Sequence, residues 1–219
     1  MRVCIEGPSG AGKSTLASIL HQIWEDINLC PTIDRFIGGF PVSKKSSDIA
    51  DNFHKYIRGE NLAFCFMNKN EGDWIQDRNW VSQITFLESV EVITGLDLRP
   101  LRMSIVEQLE LGNIAIPSTF LYLHCSPTLT ATRRQKRGAA PWGDVPPWIC
   151  KRLRPKFREL RYKSYETFFH LTLSECRIIE AKNSLKILND LEEKSRLETF
   201  TNSNEIISRL RNRAKTRIN

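Results

Sequence analysis

The residues best suited to chemistry stand at the start of the chain. Gly7, Gly12, Lys13 and Ser14, within the run GPSGAGKST, fit the spacing G-x-x-x-x-G-K-[ST]. Polyphosphate is held well by unpaired backbone N–H groups at a helix N-terminus, where the macrodipole adds positive potential. Gly7, Gly10 and Gly12 permit a tight wrap, so Gly7, Pro8, Ser9, Gly10, Ala11, Gly12, Lys13, Ser14 and Thr15 form a candidate phosphate cradle. Lys13 can reach the β- and γ-phosphates, and the Ser14 hydroxyl can ligate Mg²⁺. A chance match is disfavoured by context. An apolar run ending at Glu6 precedes the loop, and Leu16, Ile19, Leu20 and Ile23 repeat at helical spacing after it.

Three further groups carry usable charge. Asp34 and Arg35 follow a second apolar run that ends near Ile33, and Asp77 and Arg78 follow DWIQ. In an α/β sheet the carboxyl ends of strands face the ligand crevice, so both pairs are placed where phosphoryl chemistry would occur. Asp77 could hold Mg²⁺ with Ser14, and arginine can grip a phosphoryl group bidentately. Arg133, Arg134 and Arg137 lead into the loop GAAPWGDVPPW. That order suggests a lid over about 133–150, closing on phosphates and excluding water. The bland readings are a polar turn, a surface ion pair and a solvated charged face respectively.

These residues need strands and helices in alternation. A helix is expected from Ser47 to about Asn68 with a break near Gly59. Ser82 should open another, and Pro100–Gly112 a third. Thr119–Cys125 reads as an apolar strand, and 148–171 as a long basic and aromatic helix. The last strand is either 177–180 or 196–200; the later segment is the preferred reading, with a closing helix from about Ser203. The expected fold is α/β, a parallel sheet of about five strands flanked by helices, with a lid. Phe53 and Arg58 are candidates for contact with a nucleobase, although aromatics at helical spacing more often pack a core.

At 219 residues and 41% apolar composition, one domain is expected over residues 1–219. No apolar run approaches a membrane span, and a strand beginning at residue 2 leaves no stretch for a leader, so a cytoplasmic protein is expected. Six scattered cysteines suggest neither zinc nor disulfides. The net charge of +7 implies anionic ligands. A basic tail over about 209–219 raises a nucleic-acid alternative, but no recognisable nucleic-acid module accompanies it. Such a tail would be dispensable for phosphoryl transfer.

Taken in order, GPSGAGKST, IDRFIGG, QDRNWVSQITF and RRQKRG resemble the thymidylate kinase family and its nucleoside-kinase relatives. The resemblance implies an ATP- and Mg²⁺-dependent transfer to a nucleoside monophosphate, with dTMP first. Lys13, Asp77, Arg78, Arg133 and Arg137 would then be catalytic, and Arg134 would bind the donor. Arg35, Arg78 and Ser82 would hold the acceptor, and Thr201 and Asn202 would border the adenine. Asn79 and Ile37 depart from the family pattern. The nucleoside-kinase alternative would use Asp34 as base for a sugar 5′-hydroxyl. Resemblance further implies a homodimer, with residues 46–66 and 80–95 as contact faces.

Overall fold

A computed structural model describes residues 1–39, 44–136, 138, 145–172, 177–180, 203–216 and 218. The chain alternates strand and helix. β1 (Arg2–Glu6) leads through the glycine-rich loop into α1 (Lys13–Ile23), followed by β2 (Ile27–Leu29) and the short α2 (Ile33–Ile37). Next come α3 (Ile49–Lys69), β3 (Asp73–Asp77), α4 (Trp80–Thr94), α5 (Arg99–Glu110), β4 (Thr119–His124) and α6 (Pro127–Lys136). The remainder is α7 (Arg154–Thr167), which continues as a π-helical turn to Thr172, then β5 (Arg177–Glu180) and α8 (Ser203–Lys215).

Among the described residues, five parallel strands form one sheet in the order β2-β3-β1-β4-β5. β1 is central, with β3 on one side and β4 on the other. The direction of winding therefore reverses at β1, and the crevice outside its carboxyl end is where α/β folds place ligands. β1 and β4 are largely apolar because both faces are covered, and β3 buries Trp74, Ile75 and Gln76 at its centre. Val3 and Ile5 meet Leu16, Ala17 and Leu20 of α1, along with Leu121 and Leu123. Cys4, Phe120 and Tyr122 face the larger core, which gathers Trp80, Leu87, Ile105, Phe157, Tyr165, Phe169, Ile206 and Leu210.

Several sequence expectations are corrected. β2 ends at Leu29, and Ile33–Ile37 is helical, so Asp34 and Arg35 lie on a helix rather than at the strand terminus. α3 runs unbroken through Gly59. A Cβ there would stand 2.5 Å from Ile33 Cγ2 and 3.1 Å from Ile37 Cγ2, so this glycine permits α2 to lie against α3. α4 begins at Trp80, because the Asn79 side chain caps it by accepting from the Val81 amide at 3.0 Å. Arg177–Glu180 is a strand paired with β4; residues 196–200, the preferred alternative, lie outside the described residues. Most of α4 is buried within the chain, including Val81, Ile84, Leu87, Glu88, Val90 and Glu91.

The basic tail is not free. α8 packs on the core through Ile206, Leu210 and Ala214, and its arginines pair in turn: Arg209 with Glu205, Arg211 with Glu110, Arg213 with Glu88. Arg102 of α5, fully buried, pairs with Glu91 of α4 and donates to the carbonyl of Thr216 at 2.8 Å. No helix among the described residues is long and apolar enough to cross a membrane.

Candidate functional site

The phosphate cradle sits at the carboxyl end of β1. α1 starts at Lys13, and Gly10, at φ 88°, lets the loop turn under α6: a Cβ there would lie 2.9 Å from the Thr130 carbonyl and 3.1 Å from Arg134 Cγ. Lys13 is 6% exposed and donates to the Pro8 carbonyl at 3.0 Å, curling back over the loop. Burial, with the nearby Arg78 charge, pulls its pKa down to about 7 against the pull of Asp77 and Glu6. A phosphate in the cradle would oppose both effects and restore the ammonium.

Ser14 and Asp77 are joined directly. The Ser14 hydroxyl, at the start of α1, donates to Asp77 Oδ2 at the end of β3, while Asp77 Oδ1 is buried with no hydrogen-bond partner among the described residues. An orphaned carboxylate oxygen beside a loop hydroxyl fits a Mg²⁺ position, because this ion takes one or two protein oxygens and completes its octahedron with water and phosphate. Among the described residues, no cluster of three or more His, Cys, Asp or Glu offers a denser metal site.

Next to Asp77 the backbone is strained in a useful direction. Arg78 has φ 72°, the positive φ of a non-glycine residue, while its amide still bonds to the Ile5 carbonyl at 3.0 Å. The side chain is thereby aimed across the strand end, where Nη1 donates to Ser82 Oγ at 3.0 Å and to the Tyr165 hydroxyl at 3.1 Å. Burial works against its charge, but Tyr165, Glu6 and Asp77 more than offset it and hold the pKa above the usual value. Arg161 joins from α7, donating to the Ser82 carbonyl at 2.9 Å with its guanidinium over the rings of Phe86 and Tyr165.

Beneath this pair lies Glu6, the last residue of β1 and fully buried. It accepts from the Asn79 amide at 2.8 Å and from Ser82 Oγ at 2.9 Å. Burial raises its pKa, while Arg78, the Asn79 and Ser82 hydrogen bonds and Lys13 act the other way. Glu6 therefore fixes Asn79 and Ser82 and supplies the negative charge that two converging guanidinium groups require. On the donor side, Arg133 Nη1 donates to the Ala11 carbonyl at 2.9 Å, which brings α6 down on the loop.

The structure thus gathers residues 7–15, Asp77, Arg78, Ser82, Arg133 and Arg134 around one strand end. Asp34 and Arg35 are carried by α2, Asp34 half-buried and Arg35 exposed; Arg58 is exposed on α3. Phe53 is corrected: it is 2% exposed inside the larger core, with no ring face left for a base. Arg137, Thr201, Asn202 and residues 139–144 of the expected lid lie outside the described residues. Sequence reasoning missed Glu6, Arg161 and Tyr165. An acidic residue closing a buried apolar strand was one available signal. Another was the four-residue spacing of Phe157, Arg161 and Tyr165, which places them along one face of a helix.

No family model matches the chain, and no curated protein matches it. Among solved structures it is similar to deoxyadenosine kinase from M. mycoides. With bound dATP, that structure superposes with a TM-score of 0.64 at 16% identity, covering 89% of this chain and 98% of that one. The same enzyme with the products dCMP and a flexible dCDP gives 0.63 at 17%, and with bound dCTP 0.63 at 16%, each over 89% and 98% of the two chains. At such identity the likeness shows a shared fold and nothing finer.

Proposed function

We propose that this chain is an ATP- and Mg²⁺-dependent kinase that phosphorylates the 5′-hydroxyl of a deoxynucleoside. The observation that carries phosphoryl transfer is the Ser14–Asp77 contact over the cradle, with its orphaned buried oxygen. The nucleoside acceptor is supported by the likeness to deoxyadenosine kinase along nearly the whole of both chains. It was the alternative to a monophosphate acceptor in the sequence reading, and the comparisons favour it.

In this reading the backbone of residues 7–15 and Lys13 hold the donor phosphates, and Arg133 and Arg134 close on them from α6. Ser14 and Asp77 would hold Mg²⁺, which neutralises charge on the β- and γ-phosphates when bound. The acceptor oxygen attacks the γ-phosphorus, the bond to the β-phosphate oxygen breaks, ADP leaves, and the hydroxyl proton passes to a carboxylate. Asp34, half-buried on the helix after β2, is the carboxylate assigned to that proton. Arg78, oriented by Ser82 and Tyr165, stabilises the group in flight. Catalysis is then mainly positioning and charge neutralisation.

One observation favours a second reading. Arg78 and Arg161 both reach the Tyr165 hydroxyl, at 3.1 and 3.4 Å, and such a pair suits an acceptor that already carries a phosphate. That acceptor would be a nucleoside monophosphate, dTMP first, and would need no general base. A coupled ADP-release assay decides between them: deoxyadenosine, deoxycytidine and thymidine against dTMP, dCMP and dUMP, with Asp34→Asn alongside wild type. Turnover on nucleosides that Asp34→Asn abolishes supports the first reading. Turnover confined to monophosphates and indifferent to Asp34→Asn supports the second.

A further inference from the structure

Ser164 and Tyr165 are neighbours on α7 but serve different partners. The Tyr165 hydroxyl is 3.1 Å from Arg78 Nη1 and 2.9 Å from Ser82 Oγ. Ser164 instead donates to Oε2 of Glu88, a carboxylate on α4 that is 2% exposed. The same carboxylate receives Arg213 of α8 bidentately, Nε to Oε1 at 2.6 Å and Nη2 to Oε2 at 2.8 Å. Arg213 Nη2 also reaches the Ser164 carbonyl at 3.3 Å, and its guanidinium lies 5.1 Å from the centroid of the Phe168 ring. One guanidinium from the C-terminal helix thus clamps α4 to α7 a single residue away from Tyr165.

We infer that Arg213 is a positioning residue for the reacting end of the sheet: through Glu88 and Ser164 it fixes the register of α7 on α4, and so holds Tyr165 and Arg161 where they orient Arg78. α4 carries Ser82 and Glu88 on one rigid element, which makes it the reference against which α7 is set. A one-residue slip of α7 would displace Tyr165 by about 1.5 Å. That exceeds the window of a hydrogen bond, so the Tyr165 hydroxyl would lose both Arg78 and Ser82. The buried Glu88 carboxylate demands a charged partner, which keeps Arg213 in place. The inference rests on the reading of Arg78 as a phosphoryl-holding residue, and it gives the C-terminal helix a role that a dispensable tail would lack.

The test is a double-mutant cycle of Arg213→Ala and Tyr165→Phe in the full chain, with Arg213→Lys as the conservative variant, using acceptor and ATP kinetics and amide hydrogen exchange. Arg213→Ala should lower kcat/KM for the acceptor about tenfold, with KM for ATP changed less than about twofold, and Arg213→Lys should recover part of the loss. In the Tyr165→Phe background the same substitution should add less than about twofold. Exchange should quicken at residues 78–82 and 161–165 and stay unchanged in α1. Equal losses toward ATP and acceptor, or full additivity with Tyr165→Phe, would overturn the inference. If wild type turns over no acceptor, the functional reading fails on its own. Exchange then decides: quickening at 78–82 in Arg213→Ala upholds the clamp, and unchanged exchange there removes it. Should Arg213→Ala fail to fold, Arg213→Lys carries the same comparison.

Discussion

Replacing Gly59 by alanine tests how tightly α2 is held. In an ordinary helix interior the change would stabilise by about 1 kcal/mol, because alanine restricts the unfolded chain and favours helix. Here the new methyl would stand 2.5 Å from Ile33 Cγ2 and 3.1 Å from Ile37 Cγ2, both branch atoms fixed close to their own backbone. Relief requires α2 to shift, and overpacking of this kind costs about 1–3 kcal/mol. The net expectation for Gly59→Ala is a loss of roughly 0–2 kcal/mol. Ile33→Leu removes Cγ2, so the double variant should be more stable than the two single changes predict, by about 1 kcal/mol of coupling. Thermal melts of the four proteins measure this, with shifts in Tm of about 2–4 °C per kcal/mol for a chain of this size. Because α2 carries Asp34 and Arg35, the single variant should also raise KM for the acceptor. A Gly59→Ala protein that gains the full helix term, with no coupling to Ile33, would refute the argument.

Further outcomes follow from the site. Asp77→Asn keeps the shape but loses the charge facing Ser14, so turnover should drop by at least about a hundredfold and Mg²⁺ saturation should move to higher concentration; a metal titration checks both. Burial and the nearby Arg78 charge hold the Lys13 pKa at about 7, so at pH 8 it is mostly neutral and ATP binding should take up a proton, whereas at pH 6 it should not. Calorimetry in two buffers of different ionisation enthalpy reads that uptake, and Lys13→Arg should abolish it. Glu60 is buried beside Gln76, and burial lifts its pKa from 4.5 to about 8. Between those values the folded chain keeps a proton that the unfolded chain has released, so stability should fall as pH rises through that window, by about 1.4 kcal/mol per unit at most. Glu60→Gln should flatten the profile in pH-resolved urea melts. Arg102→Met strands the buried Glu91 carboxylate and should cost about 3–5 kcal/mol, whereas pairing it with Glu91→Leu should recover most of the loss.

The sequence made the cradle legible because its chemistry is local: glycines, a lysine and a serine at fixed offsets between a strand and a helix leave little freedom. Asp77 and Arg78 were legible for a similar reason, since DWIQ is a short buried strand and its end must face the crevice. Ile33 misled because a β-branched residue after an apolar run resembles a strand, yet tertiary packing against Gly59 made Ile33–Ile37 helical. Glycine within α3 suggested a break when what it provides is room for Ile33, which no one-dimensional pattern records. The tail looked like a free basic patch because its partners Glu88 and Glu110 lie about a hundred residues away in sequence. Arg161 and Tyr165 escaped for the same reason, since each acts through contacts that exist only once α7 is laid across α4, and Glu6 meets Asn79 and Ser82 only once β1 pairs with β3.

The measurement that bears most directly on the central account is phosphorus NMR of the full chain with ATP, Mg²⁺ and deoxyadenosine, and in a second tube deoxycytidine. The account predicts that the γ-resonance of ATP declines while a nucleoside monophosphate and ADP grow in equal amounts, and that Asp77→Asn leaves the spectrum still. ATP that persists unchanged in both tubes, or that yields ADP and inorganic phosphate without any phosphorylated nucleoside, would contradict it.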